Sequence, residues 1–469
     1  MNAIILSFFW GVVMMFSSIW IKNKSAYKTI AAIGLFVILV CNIADTYGHS
    51  IFHIDTKGML IFDKFGLFFN TIAIASTFIY VLLSGKEIER AGFHAAENFT
   101  LLFFVLCGIC ILSSYGNLLM LFLGIEILSI PLYILTGIDK RNLKSNEASL
   151  KYLLMGSFST GIMLIGIAFM YGGTGSFQLE IIQASTNGNS DVSFLEVTGL
   201  FILMLSMAFK VSAAPFHFWA PDVYDGAPGV ITSFMATIAK AAAFIAFLKL
   251  FDARAAETSY EANKLIGIDW KMIFAIIIIA TLLVGNITAV FQQSVKRMLA
   301  YSSISQAGFM LFALFSLNDV SKEGILLYAV AYSLPTIGLF AVLEKMKDFT
   351  YEGYNGLAKT QPVLAFTNTI FLLSLAGIPL TAGFFAKYYM LASAIKAGGY
   401  AWLVIIAVLF AAVSVYYYFR LIQAMYFKTG DAATTEEVSP VFKASLVGLT
   451  ILIILIGIWP QSLLNFFYF

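Results

Sequence analysis

Four ionisable residues stand in stretches that otherwise hold almost only apolar side chains: Glu126, Lys210, Lys240 and Lys387. Lys240 is the clearest, in Thr232-Ser-Phe-Met-Ala-Thr-Ile-Ala-Lys240-Ala-Ala-Ala-Phe-Ile-Ala-Phe, near the middle of its run. A charge at the centre of a bilayer costs at least about 2.5–3.5 kcal/mol, and a stem so placed cannot easily carry its ammonium to water. A titratable group on a proton or ion path accounts for it; a buried structural ion pair is the alternative. Glu126 lies mid-run in Leu123-Gly-Ile-Glu126-Ile-Leu-Ser-Ile-Pro131, and Lys210, just before Pro215, is its best partner across helices. Lys387 follows Pro379 by eight residues. For Lys210 the competing reading is a lysine snorkelling from a helix end, and for Lys387 an interfacial lysine. The chemistry open to such a set is proton transfer. Burial makes a lysine release its proton more readily and a carboxylate drawn close makes it hold on, so separating the pair pushes a proton onward.

A second tier surrounds these four. Glu147 and Lys151 have the i, i+4 spacing of a helical ion pair, either solvated at the interface or at a proton entry. His217 follows the first proline break and is either a relay or a loop histidine held by backbone. Lys249 and Arg420 lie near run ends, where snorkelling is expected. The four histidines have no metal-ligand spacing, and no glycine-rich phosphate loop follows a strand. Cys41, Cys107 and Cys110 fit small buried hydrophobes and are too few for a four-thiolate iron–sulfur cluster.

The elements that must position these groups are helices in a membrane. The chain has 469 residues, of which 60% are hydrophobic and 12% charged, and its mean hydropathy is +0.89. A soluble domain is about 45–50% apolar and 25% charged, so a cytosolic enzyme, a nucleic-acid binder and a disordered scaffold are excluded. Continuous apolar runs disfavour a β-barrel, whose strands alternate, and satisfy their backbone amides as helices. About fourteen transmembrane helices are expected, at 2–21, 28–45, 65–84, 97–115, 117–138, 147–172, 195–213, 229–251, 271–291, 299–316, 323–345, 363–394, 400–426 and 441–460. The first reads as a retained helix, without a small-residue cleavage site.

Lys and Arg set the orientation. The odd-numbered loops carry fifteen and the even-numbered loops seven, which puts the odd loops in the cytoplasm and both termini outside. Pro215 and Pro379 interrupt the seventh and twelfth runs. Breaks five helices apart suggest two inverted five-helix repeats, a transporter device; two simple kinks are the alternative. The segments are then 1–96 (helices 1–3), 97–251 (helices 4–8), 271–426 (helices 9–13) and 441–469 (helix 14).

Several stretches resemble an established family. Phe218-Trp-Ala-Pro-Asp-Val-Tyr-Asp-Gly-Ala-Pro228, Phe234-Met-Ala-Thr-Ile-Ala-Lys240, Glu147-Ala-Ser-Leu-Lys-Tyr152 and Val295-Lys-Arg-Met-Leu-Ala-Tyr-Ser-Ser-Ile-Ser305 resemble the subunit N family of the respiratory NADH–quinone oxidoreductase, complex I. The resemblance covers essentially the whole chain and is most specific over about 210–310. It implies an antiporter-like, multi-pass subunit of the bacterial inner membrane that pumps protons when quinone is reduced elsewhere. It further implies that Glu126, Lys210, Lys240 and Lys387 correspond to the family's glutamate and lysines on helices five, seven, eight and twelve. No redox chemistry and no cofactor or metal is expected in this chain. NADH, FMN, iron–sulfur clusters and quinone belong to partner subunits, and the partners are other membrane and peripheral subunits, including sister antiporter-like ones, and lipids.

Where the family often carries histidine after Ser302-Ser-Ile-Ser305, this chain has Gln306. Glutamine does not titrate, so Tyr301, Ser302, Ser305 and water are the expected lining between Lys240 and Lys387. A subunit of a multi-subunit cation/proton antiporter is an alternative that shares the lysine row. Trp219-Ala-Pro-Asp-Val-Tyr224 and Lys387, where one sister subunit has glutamate, favour complex I, as does the end at Phe469 against a sister that continues into a lateral helix. A structural subunit without pumping is a third reading, opposed by the four retained charges.

Overall fold

The structure, a computed structural model, describes residues 1–21, 25–91, 94–182, 193–255, 264–265 and 268–468. Lys22 and Lys24, counted above for orientation, lie outside the described residues. The protein is an all-helical membrane protein. Among the described residues, twelve helices are long and apolar enough to cross a membrane: Asn2–Trp20, Ala26–Thr46, Lys64–Arg90, Ala95–Ser114, Leu118–Thr136, Leu143–Thr174, Gly229–Asp252, Trp270–Val290, Val295–Ser316, Asp319–Leu343, Ala401–Phe427 and Pro440–Ile458. The other two predicted runs are the interrupted ones. One is Phe194–Lys210, followed by a turn and the short helix Trp219–Gly226. The other is the pair Pro362–Ala376 and Ala382–Lys396. Two residues on each side, Lys264–Leu265 and Ile268–Asp269, pair antiparallel in a loop, with Lys264 opposite Asp269.

Polar residues end the runs by supplying partners for helix-end amides. Asp63 Oδ1 accepts from the Gly66 amide at 2.8 Å, and Asn117 Oδ1 from the Leu119 amide at 2.8 Å. Asn318 and Ser321 exchange bonds as a capping box.

Burial sorts the helices into centre and rim. The apolar centres of Gly229–Asp252 and Asp319–Leu343 are fully buried, whereas those of Asn2–Trp20 and Ala401–Phe427 are only 28% buried, and the latter two helices turn side chains such as Phe8, Trp20 and Leu409 outward. Hydrocarbon gives helices no hydrophobic reason to associate, so close packing relies on small residues. Gly166 and Gly199 show this: a Cβ on Gly199 would lie 2.7 Å from the Met170 backbone nitrogen. Lys240 is carried by one of the two most deeply buried helices.

Polar contacts tie the loops together at each end. At one end Arg90 meets Glu436 at 2.7 Å, Lys345 pairs with Glu87, and Lys151 meets Asp222 at 2.9 Å. At the other the N-terminal amine meets Asp45 at 3.1 Å, and Lys322 meets Asp252 at 2.8 Å.

Candidate functional site

Lys240 is 3% exposed, at the point where a π-helical turn, Met235–Ala239, returns to α-helix. Such turns leave i→i−4 carbonyls displaced and recur at functional sites. Its Nζ donates to Ser303 Oγ at 3.1 Å and to the Ser303 carbonyl at 3.2 Å, and lies 5.5 Å from the centre of the Tyr224 ring. Among the described residues no carboxylate lies within 4 Å of Lys240. It is solvated by one serine and an aromatic face, not neutralised.

Glu126 and Lys210 face each other without touching. No ion pair within 4 Å joins them among the described residues, although each is within electrostatic reach of the other. Lys210 Nζ instead lies 3.5 Å from Ser129 Oγ, three residues on from Glu126 along the same helix face. Glu126 Oε1 is buried and has no hydrogen-bond partner in the protein. A buried orphan acceptor of this kind is a place for water.

Lys387 is 7% exposed and reaches back across the second break. Its Nζ donates to the Ala376 carbonyl at 2.9 Å and stands 4.9 Å from the Phe309 ring centre. Ala376 ends the first half-helix, so the ammonium satisfies one of the carbonyls that a helix C-terminus leaves free, at the negative end of its dipole. Gln306 satisfies the neighbouring one, donating to the Leu375 carbonyl at 3.0 Å. The same amide donates to Tyr418 OH at 3.2 Å and accepts from Tyr328 OH. Gln306, Lys387, Tyr328, Tyr332 and Ser374 line a cavity of about 10 Å³, room for roughly one water.

Of the expected lining, Ser302 lies 2.5 Å from Tyr418 OH, and Ser305 packs its backbone against Gly285. Tyr301 stands beside Arg297, nearer the helix start. Ser303, Tyr328 and Tyr418 were not singled out from sequence. Helix phase separates the serines: Ser302 and Gln306, four apart, share the face toward Tyr418, and Ser303, about 100° round, meets Lys240. The phase becomes usable only when the partner helix is known.

Glu147 and Lys151 do pair, at 2.8 Å, but within a larger set. Asp222 accepts from Lys151 at 2.9 Å and Arg297 at 3.2 Å, which bolts the Trp219–Gly226 helix to two spans. Partial burial works against the Asp222 charge, but Lys151 and Arg297 outweigh it and hold its carboxyl below the ordinary range. His217 is half-buried in the turn after Pro215; burial lowers its pKa, and among the described residues no hydrogen bond joins it to the lysines. Lys249 and Arg420 reach polar groups near the ends of their runs. Lys249 donates to the Ser113 carbonyl at 3.2 Å and Arg420 to the Gln292 carbonyl at 3.1 Å and Gln293 Oε1 at 2.6 Å.

Residues 115–414 match the family model described as NADH:quinone oxidoreductase/Mrp antiporter, TM. A Cytophaga hutchinsonii protein named NADH-quinone oxidoreductase subunit N is 41% identical, over 99% of each chain. The chain belongs to the subunit N family of NADH–quinone oxidoreductases. A chain of the respiratory complex I from Thermus thermophilus with bound aureothin superposes with a TM-score of 0.83 at 29% identity, over 99% of this chain and 98% of that one. A chain of the Mrp complex from Dietzia sp. DQ12-45-1b shares the fold at a TM-score of 0.81 but only 18% identity, over 99% and 96%. Glu126, Lys210, Lys240 and Lys387 of this family member, and both of its helix breaks, fall inside the matched segment.

Proposed function

We propose that this chain carries protons across the bacterial inner membrane as a membrane-arm subunit of complex I, driven by quinone reduction in other subunits. The observation that carries the reading is Lys240, buried mid-bilayer with only Ser303 as its hydrogen-bond partner among the described residues. A permanent structural charge would have a carboxylate beside it; a lysine that must gain and lose a proton is better served by neutral hydroxyls. Glu126 with Lys210 forms the separable pair on one side of it, and Lys387 the far station. Ser302, Ser303 and Gln306 supply hydroxyl and amide groups between Lys240 and Lys387, with the cavity beside Gln306 as a water site. Glu147, Lys151 and His217 belong to the approach from the loops.

The organisation that goes with this reading is fourteen crossings, with residues 97–251 and 271–426 as inverted units between the flanking segments 1–96 and 441–469. Contacts between Arg90 and Glu436, and between Lys345 and Glu87, support placing the odd loops on one face. The excess of Lys and Arg there makes that face the cytoplasmic one and puts both termini outside. NADH, FMN, iron–sulfur clusters and quinone are assigned to partner subunits, and sister antiporter-like subunits and lipids to the flanks. The 41% identity to a subunit N against 18% to an Mrp chain supports this over a free-standing cation/proton antiporter.

The test is Lys240→Ala in the assembled complex, in sealed membrane vesicles. The rate of NADH-driven acidification is expected to fall by about a hundredfold or more, the low end for losing a proton-transfer group, with the subunit still co-purifying. Full pumping by an assembled variant would overturn the reading.

A further inference from the structure

We infer that Glu344 is a second carboxylate station of this subunit, taking protons from an odd-loop cleft and feeding them to Lys240; this rests on the proton-carrying reading above. The cleft holds about 410 Å³ and is lined by Glu87, Arg90, Asp139, Val230, Glu344 and Thr435. It is therefore walled by the ends of several helices at the face where the odd loops meet. Glu344 caps the C-terminal end of the wholly buried helix Asp319–Leu343. Its Oε1 occupies the space beside Gly229, the first residue of the helix that carries Lys240: a Cβ added there would lie 1.9 Å from it. Lys296 is within electrostatic reach of the carboxylate. Lys296 is itself 6% exposed and held by the Asp225 and Ala227 carbonyls at 2.8 and 2.5 Å. A carboxylate with a lysine nearby but not in contact repeats the arrangement of Glu126 and Lys210.

Two buried hydroxyls mark the way inward. Among the described residues Ser233 Oγ has no hydrogen-bond partner and Thr336 Oγ1 has only the Tyr332 hydroxyl beside it, and their residues are 0% and 3% exposed. Buried polar atoms are nearly always bonded to protein or ordered water, so Ser233 calls for a water. Depth along the helices agrees. At about 1.5 Å per residue, Lys240 lies roughly 16 Å from the Gly229 end and Tyr332 roughly 18 Å from Glu344. Tyr332 stands beside both Thr336 and Ser303, and Ser303 is the residue that holds Lys240. Residues 328, 332 and 336 are four apart and form one stripe of the helix, and Glu344, at its C-cap, lies about 80° further round from Thr336. The proton goes from cleft water to the Glu344 carboxylate. The neutral acid passes it to the waters and hydroxyls of the stripe, which deliver a proton to the uncharged Lys240 amine. The carboxylate that remains is reloaded from the cleft.

The experiment measures protons translocated per NADH in sealed vesicles for Glu344→Gln, Glu344→Asp, Thr435→Trp and Lys240→Ala, each in the whole complex. Expected is a several-fold loss for Glu344→Gln, partial rescue by Glu344→Asp, and an intermediate loss for Thr435→Trp, which crowds the cleft from an exposed loop. Rescue by aspartate and the effect of filling the cleft separate a proton station from a carboxylate that only packs. If Lys240→Ala stops pumping while Glu344→Gln and Thr435→Trp pump normally, Glu344 is not a station and the main reading stands. If Lys240→Ala pumps normally, the main reading fails first. Should Glu344→Gln not assemble, Thr435→Trp decides, and undiminished pumping there overturns the inference.

Discussion

At the first break the lysine sits on the last turn of the half-helix that ends there, whereas at the second it comes from beyond the gap. Both breaks leave carbonyls in the membrane that need donors. Around Lys210 the backbone turn answers part of that need: the amides of Val211, Ser212 and Ala213 donate to the Met207, Phe209 and Ala208 carbonyls at 3.1, 3.0 and 2.9 Å. The Trp219 indole supplies a further donor to the Phe209 carbonyl at 3.0 Å. Around Pro379 the donors are Lys387, to the Ala376 carbonyl, and Gln306, to the Leu375 carbonyl. The first break is closed by groups that never titrate, and among the described residues Lys210 has a single long hydrogen bond, to Ser129 at 3.5 Å. The second makes its titratable lysine part of the structure. A separable pair and a fixed station are different tools, and the two halves hold one each.

The largest effect that tests this contrast is Lys387→Met against Lys210→Met. Both are expected to cut the rate of NADH-driven acidification by about a hundredfold or more. Only Lys387→Met strips a buried carbonyl of its donor, which costs about 1–3 kcal/mol and is read as a lower melting temperature of the purified complex. Equal thermal penalties for the two variants would break the comparison.

Next in size is Trp219→Phe. The Trp219 ring is stacked on Tyr152 at 4.9 Å and Phe209 at 5.4 Å, and phenylalanine keeps much of that contact while losing the N–H. The Phe209 carbonyl keeps the Ser212 amide but loses its second donor, for about 1 kcal/mol of stability and about 1 more for the lost ring area, with pumping near normal. A large pumping defect at unchanged stability would place the indole in the transport path and make the two breaks more alike.

Gly377→Ala probes the other side more gently. Gly377 has φ +84, and a Cβ there would lie 2.9 Å from Lys387 Cδ. The left-handed conformation costs a non-glycine residue about 1–2 kcal/mol, and the methyl pushes directly on the lysine stem. Loss of stability together with weakened pumping is expected. Stability lost with pumping untouched would mean that the position of Lys387 does not matter.

The elements and the key charges were legible in the sequence because lipid enforces simple rules. Runs of about twenty apolar residues became helices, and Pro215 and Pro379 fell at the interruptions. Lys240 stood out because nothing but cost surrounds it. Contacts set by which helix faces which were not legible. Ser303 and Ser302 are adjacent and chemically identical, and only the placement of the Lys240 and Tyr418 helices tells them apart. Asp222 reads as a surface acid until Lys151 and Arg297, 71 and 75 residues away, converge on it. Glu344 looks like the polar end of a helix, and its place beside Gly229 depends on a contact more than a hundred residues long.

The smallest effect is expected at the position where this chain departs from its family. Gln306 makes three bonds, donating to the Leu375 carbonyl and to Tyr418 OH and accepting from Tyr328 OH. A neutral histidine offers one donor and one acceptor, so Gln306→His keeps the Tyr328 bond and one of the two others. If the Leu375 carbonyl is the group left bare, the adjoining cavity has room for about one water to replace the lost donor. A change of about 1 kcal/mol or less, one ordinary hydrogen bond, is expected in stability, with protons per NADH unchanged. A clear gain in pumping rate would instead show that glutamine slows the step from Lys240 to Lys387. The fixed station would then be limited by its relay.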